Sequence, residues 1–189
     1  MPRLRKQTRN PEETASLLLD AAEAEFNSAG FDGTDTNRIA RKAGYAPQTF
    51  YRHFADKIAI FLAVYERWWK DEADAAGKIL RARGAIDVEK FADTLIAFHA
   101  KWRGFRRSLR HLSTQDDRVR AARARARKAQ IASTRAVLPK LKRSDVQIYA
   151  SLLVFERLCD AIADGEFADM GFGKAAARQS LIEAIKAVL

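Results

Sequence analysis

The sequence has little that would support cross-linking, metal binding or a membrane span. Cys159 is the one cysteine in 189 residues, so neither an intrachain disulfide nor a cysteine-rich zinc site can form. The three histidines, His53, His99 and His111, lack a metal-ligand spacing. The longest uninterrupted apolar run, from Ile58 to Tyr65, is far short of the roughly 20 residues that cross a bilayer. The charged start, Met-Pro-Arg-Leu-Arg-Lys, is followed by no apolar stretch, so a secretory signal is not expected. A cytoplasmic protein with no membrane association fits these absences. There is no glycine-rich phosphate loop and no GxSxG elbow. The acids Asp116 and Asp117 are adjacent, so they do not converge on one helix face. An enzyme is therefore disfavoured, and no cofactor or metal is expected.

What the chain has in excess is positive charge. The formal balance is +10 and the pI about 10.0, which points to a polyanionic partner. Its placement is uneven. Residues 1–57 hold nine basic and eight acidic side chains, against 25 and 16 in residues 58–189. Within the first part the signs separate along the chain. Arg3, Arg5, Lys6 and Arg9 precede any acid, and this arm reads equally as a solvated tail or a minor-groove reader. Acids then dominate up to Glu25. Between 36 and 57, five basic residues face Asp56 alone.

Helical periodicity runs throughout, and no alternating strand pattern or internal repeat stands out. Residues 11–29 predict a helix that starts at Pro11, carries Glu12 and Glu13 in its first turn and ends at Gly30. Asp35 is placed to cap a short helix over 36–43, Gly44 to turn the chain, and Pro47 to open another helix to Phe54. A long helix is expected from Lys57 to about Arg81, ended by Gly84, and another from Asp87 to about Leu112. Ser113 would cap a strongly basic helix reaching Pro139. Two more helices are expected at 146–163 and 174–188, separated by a glycine-bearing loop. The fold class is all-α: an N-terminal three-helix unit with a helix-turn-helix, residues 1–57, followed by a larger helical domain, 58–189.

Two short helices joined by a glycine turn suit a duplex groove, because side chains near the start of such a helix reach base edges. Gln48 can pair with adenine, and Thr49 can touch a thymine methyl or a phosphate. Tyr51 and His53 carry polar tips for phosphate oxygens, and Arg52 shares their side of the helix. Lys57 lies where free amide hydrogens at a helix start favour an anion. Thr36, Arg38 and Pro47 complete the candidate DNA-facing set. Phe50, Phe54 and Ile39 are assigned to the core. The turn alone would also fit a plain helical corner.

Residues 18–57 resemble the DNA-binding region of the TetR (tetracycline-repressor-type) family. The features that carry the likeness are Ala21-Ala22, Phe26, Gly30-Phe31, Ile39-Ala40, Ala43-Gly44, Thr49-Phe50-Tyr51, His53-Phe54 and Lys57. The resemblance implies a homodimer that reads a palindromic operator in double-stranded DNA, as a repressor released by a small-molecule effector. It implies that Thr49, Tyr51, His53 and Lys57 touch phosphate or base edges, and that the last two helices form the dimer interface. This chain departs from the pattern at Glu25, Asp35, Thr36, Ala46 and Ile58. Ala46 in particular replaces a residue that would cap the recognition helix.

Aromatic residues crowd the middle helices. Packing explains most of them, yet Tyr65, Trp68, Trp69, Phe98, Trp102, Tyr149 and Phe155 could also line a cavity between helices. His99 reads as a hydrogen-bonded core histidine or as a cavity group. Glu156 reads as a partner of Arg157, as a cross-dimer contact, or as a cavity group. If both faced a cavity they would orient a polar or cationic effector. Residues 101–128 hold eleven basic side chains against Asp116 and Asp117. They read first as a solvated helical face, and more sharply as a site for an anionic effector or as extra contact with DNA. The rival to an effector-responsive regulator is a DNA-binding assembly protein with a filled helical core.

Overall fold

A computed structural model of the chain describes residues 10–82 and 85–189. The basic arm from Arg3 to Arg9 and the expected break at Gly84 lie outside the described residues. Within them the chain is all-helical. The elements are α1 (Pro11–Ala29), α2 (Thr36–Lys42), α3 (Pro47–Tyr51), α4 (Lys57–Leu80), α5 (Val88–Lys101), α6 (Arg103–Gln115), α7 (Asp117–Val137), α8 (Asp145–Asp164), α9 (Glu166–Asp169) and α10 (Lys174–Lys186). No helix among the described residues is long and apolar enough to cross a membrane.

The helix ends follow local chemistry. Asn10, Asp35, Asp56, Asp87 and Asp116 each cap the helix that follows, accepting a backbone N–H two or three residues on. Ser144 and Gln147 form a reciprocal capping box at the start of α8. Pro47 opens α3, but Ala46 provides no side-chain cap. Gly165, in the left-handed region at φ 89°, ends α8.

Three expectations need correction. The helix predicted over 87–112 breaks at Trp102 into α5 and α6. There α6 crosses α1 so closely that a Cβ on Gly104 would lie 2.0 Å from the Asn27 carbonyl oxygen. The Asn27 side chain accepts the Phe105 N–H at 3.2 Å, so a residue outside α6 satisfies that backbone donor. Ser113 falls inside α6, and the cap of the basic helix is Asp116. Lastly, the loop expected at 164–173 contains the short helix α9.

One hydrophobic cluster links the N-terminal unit to the rest of the chain. Leu18, Ala22 and Phe26 of α1, Ile39 and Phe50 of the short helices, Phe61 and Trp68 of α4, and Phe105 and Leu109 of α6 all belong to it. Phe26 meets Phe61 edge-on at 5.1 Å, and Phe61 stacks on Phe105 at 4.7 Å. A second cluster holds α5, α8 and α10 together through Ala92, Cys159, Leu181, Ile182 and Ile185. The apolar side of α10 is thus used within the chain. Helix α8 retains an outward apolar stripe instead, with Val146, Tyr149, Leu153 and Val154 all exposed.

Candidate functional site

The short helices α2 and α3 are held by a buried carboxylate. Glu25 of α1 is only 4% exposed. It pairs with Arg38 at 2.5 Å and Lys42 at 2.9 Å, and it accepts the Thr34 hydroxyl at 3.1 Å. Burial acts to raise its pKa, yet the hydrogen bonds from Lys42 and Thr34 and the two nearby charges win and hold it below the ordinary value. An acid that breaks the apolar pattern of α1 is therefore the anchor that sets α2 against α1. Phe50 is fully buried beneath α3. Rooted in this way, α3 turns Gln48, Tyr51 and Arg52 outward to solvent, with Pro47, Thr49 and His53 half-buried beside them. The Thr36 and Tyr51 hydroxyls share a hydrogen bond at 2.9 Å, which ties the start of α2 to the end of α3.

Lys57 is engaged differently from a free phosphate donor. Its ammonium donates to the Phe31 and Thr34 carbonyls at 2.8 and 3.0 Å and sits 4.0 Å from the centre of the Phe31 ring. Its side chain closes the loop between α1 and α2. The Arg38 guanidinium is likewise occupied by Glu25 and, at 3.4 Å, by the Gly33 carbonyl, although half of the side chain is exposed.

Behind this unit, α4, α5, α6, α7 and α8 line a partly open cavity of about 130 Å³. Tyr65, Trp68, Trp69, His99, Phe155 and Glu156 line it. Phe98, Trp102 and Tyr149 do not, which corrects their assignment. Trp102 is 1% exposed and packs edge-on against Phe105 in the first cluster, where Phe98 also packs. Tyr149 lies on the outer face of α8, 41% exposed.

The polar wall of the cavity carries basic residues of the segment 101–128, which reads first as a solvated face and more sharply as a site for an anionic effector or as extra contact with DNA. Arg106 is 2% exposed and reaches Glu156 at 2.6 Å and Asp160 at 2.7 Å. Arg123 reaches Glu156 at 2.9 Å, and Arg127 pairs with the same carboxylate. His99 bridges Asp160 through Nδ1 at 2.8 Å and Glu72 through Nε2 at 3.2 Å. It is thus a hydrogen-bonded core histidine and a cavity group at once. Glu156 is bound within its own chain, to arginines other than Arg157. The solvated reading stands for Arg120, Arg125 and Lys128, which are exposed. Helical register separates the two groups. Arg123 and Arg127 share a helix face with Val119 and Ala126, which are buried, and Arg106 shares one with Trp102, Phe105 and Leu109.

The comparisons with known proteins bear on the first of these two sites. Residues 18–64, which span α2, α3 and the turn between them, match the family model "Bacterial regulatory proteins, tetR family". That match covers 47 residues, about a quarter of the chain, and lies on the DNA-reading unit. An HTH-type transcriptional repressor of Streptomyces coelicolor is 33% identical to this chain over 92 residues, which are 49% of this chain and 45% of that protein. The chain spans about half the length of the curated relatives it matches. Its fold is shared along nearly its full length. A tetR-family transcriptional regulator from Streptomyces coelicolor superposes with a TM-score of 0.75 at 16% identity, covering 95% of this chain and 82% of that one. The multidrug binding protein EbrR, solved with imidazole, superposes with a TM-score of 0.65 at 17% identity, covering 90% and 93%.

The departures from the tetR pattern noted in the sequence have structural roles of their own. Glu25 anchors α2, Asp35 caps it, and Thr36 bonds Tyr51. Ile58 packs on the first cluster.

Proposed function

We propose that this chain is a sequence-specific DNA-binding transcriptional regulator of the cytoplasm, a dimeric repressor released from its operator by a small molecule, and not an enzyme. The observation that carries this reading is α3, rooted by Phe50 and Glu25 and presenting Gln48, Tyr51 and Arg52 to solvent. Residues 1–57 read the duplex, and residues 58–189 bind the effector and pair the protomers. Gln48 and Thr49 meet base edges. Thr36, Tyr51, Arg52 and His53 meet phosphates, Pro47 presents the free start of α3, and Arg38 borders the contact. Lys57 contributes the amide end of α4, while its ammonium holds the loop beneath.

The exposed stripe on α8, with the adjoining edge of α10, supplies a self-complementary surface for a second copy. Two-fold pairing matches a palindromic operator with half-sites one helical turn apart.

An effector acts only through a difference in affinity between the DNA-bound and released states. Two elements connect the cavity with the DNA-reading unit. Helix α4 begins at Lys57 and carries Tyr65, Trp68 and Glu72 into the cavity wall. Helix α6 carries Arg106 into the same wall, while its Ser108 hydroxyl accepts the Phe31 N–H at 2.9 Å. A ligand that shifts Arg106 thereby shifts a helix bonded to the loop before α2.

Selection of bound duplexes from a random pool, with the full chain at low salt, tests the reading. Enrichment of a palindrome is expected. Recovery of unenriched sequence would reject it.

A further inference from the structure

We propose that the cavity takes a compact organic monoanion, a carboxylate on an aromatic or branched apolar body, gripped by Arg123 and Arg127. This rests on the reading of the cavity as the effector site and gives that effector its chemistry.

Charge accounting favours an anion. Glu156 faces three guanidiniums, those of Arg106, Arg123 and Arg127. Arg106 is shared with Asp160. Among the described residues, the ion pairs of Arg123 and Arg127 both run to Glu156. Each guanidinium offers five N–H donors in a fixed fork, whereas one carboxylate has about four acceptor positions. Arg123 also donates to the Ser113 hydroxyl at 3.0 Å and Arg127 to the Gln130 side-chain oxygen at 2.7 Å, yet the ten N–H groups of the two guanidiniums still outnumber the acceptors on the side of the cavity built by α7. Burial holds Arg123 and Arg127 below the ordinary arginine range, and the charge of Arg123 adds to the effect on Arg127. A second carboxylate would relieve both.

A cation would meet the opposite situation. Of the carboxylates lining the cavity, Glu156 is paired with three arginines, and Glu72 lies 3.2 Å from His99 Nε2. A second observation points to an acceptor-bearing ligand. Trp68 lines the cavity, is 3% exposed, and carries an indole N–H with no hydrogen-bond partner among the described residues. A buried donor without a partner costs free energy that an acceptor would recover.

Size and lining define the rest of the ligand. About 130 Å³ is close to the roughly 150 Å³ that accommodates a benzene ring. Tyr65, Trp69 and Phe155 offer aromatic faces to the apolar part.

The test uses the full chain and three probes of one shape: benzoate, benzyl alcohol and benzylammonium. Binding is read by tryptophan fluorescence and calorimetry, and release from the selected operator is measured separately. Benzoate is expected to bind at least tenfold more tightly than either isostere. Arg127→Gln should remove that preference. Arg127→Lys, which keeps the charge and loses the fork, should weaken benzoate while retaining its advantage over benzylammonium. Preference for benzylammonium, equal binding of all three, or binding of none would overturn the proposal even if the operator is found. Benzoate binding without release of DNA would uphold the anion site and reject its role as the effector site.

Discussion

The Arg118 guanidinium donates to the Asp56 carboxylate at 2.7 Å, joining the first turn of α7 to the residue that caps α4. Asp56 also accepts the Ala59 N–H at 2.7 Å, so one side chain both starts the connecting helix and ties it to the cavity wall. Asp56→Ala should cost about 1 kcal/mol through loss of the cap. Arg118→Ala should cost less, because both ion partners are half-exposed. Urea unfolding of the two variants checks the order. The bond from Arg118 is the largest cause holding the Asp56 pKa below its ordinary 3.8. A carboxylate depressed on folding stabilises above its unfolded pKa and loses that stabilisation as pH falls through the folded value. The difference between wild type and Asp56→Ala should therefore be complete at neutral pH and shrink below about pH 4.

Glu25→Ala should lower stability by about 1–2 kcal/mol, since it strands the Thr34 hydroxyl while Arg38 and Lys42 can turn to water. The same change frees α2 from α1, so operator affinity should fall further than the loss of stability accounts for. Binding isotherms taken well below the melting temperature would reveal this. Equal affinity in the two proteins would show that the carboxylate only supports folding. Because its folded pKa is also depressed from 4.5, the Glu25 contribution should likewise disappear on acidification.

Gly104→Ala reverses the usual sign of a helical glycine substitution. Alanine normally gains up to about 1 kcal/mol in a helix. Here the added carbon would meet the Asn27 carbonyl oxygen at 2.0 Å, and backbone cannot yield as a side chain can. A net loss of about 1–3 kcal/mol is expected from overpacking, visible as a lower urea midpoint.

On DNA, Gln48 and Arg52 should behave differently. Gln48→Ala should cost about 1–3 kcal/mol and relax preference at one position of each half-site. Arg52→Ala should weaken all sequences alike and reduce the slope of affinity against salt by about 1 per protomer. Anisotropy titrations across a salt series, on the operator and on single-base variants, separate the two.

Leu153→Arg places a charge in the outward stripe of α8, at a position 41% exposed in the single chain. The fold should be retained, because nothing in the chain's own core is disturbed. Sedimentation should move from dimer to monomer, with weaker operator binding. A variant that stays dimeric would locate the pairing surface elsewhere.

Much of the N-terminal unit was legible in the residues themselves. Pro11, Asp35, Gly44 and Pro47 mark where the first helices start and turn, and apolar spacing at three and four residues marks what they bury. These signals act within one or two turns of chain, so no knowledge of partners is needed to read them. The break at Trp102 was not legible, since it arises where Asn27 meets α6, 78 residues away in sequence. Nor was the use of Lys57 on the Phe31 and Thr34 carbonyls, because a lysine at a helix start looks the same whether its ammonium faces a phosphate or a loop.

The cavity shows the same division most clearly. Its aromatic lining followed from the helical stripe of α4, and the sequence by itself determined that Tyr65, Trp68 and Trp69 would lie near one another. Only the tertiary structure decided that Arg106, Arg123 and Arg127 turn inward to meet Glu156, at separations of 50, 33 and 29 positions. A charged side chain on an amphipathic helix defaults to water because desolvation is costly. It is buried only where a distant carboxylate offsets that cost, and short-range spacing carries no record of that partner.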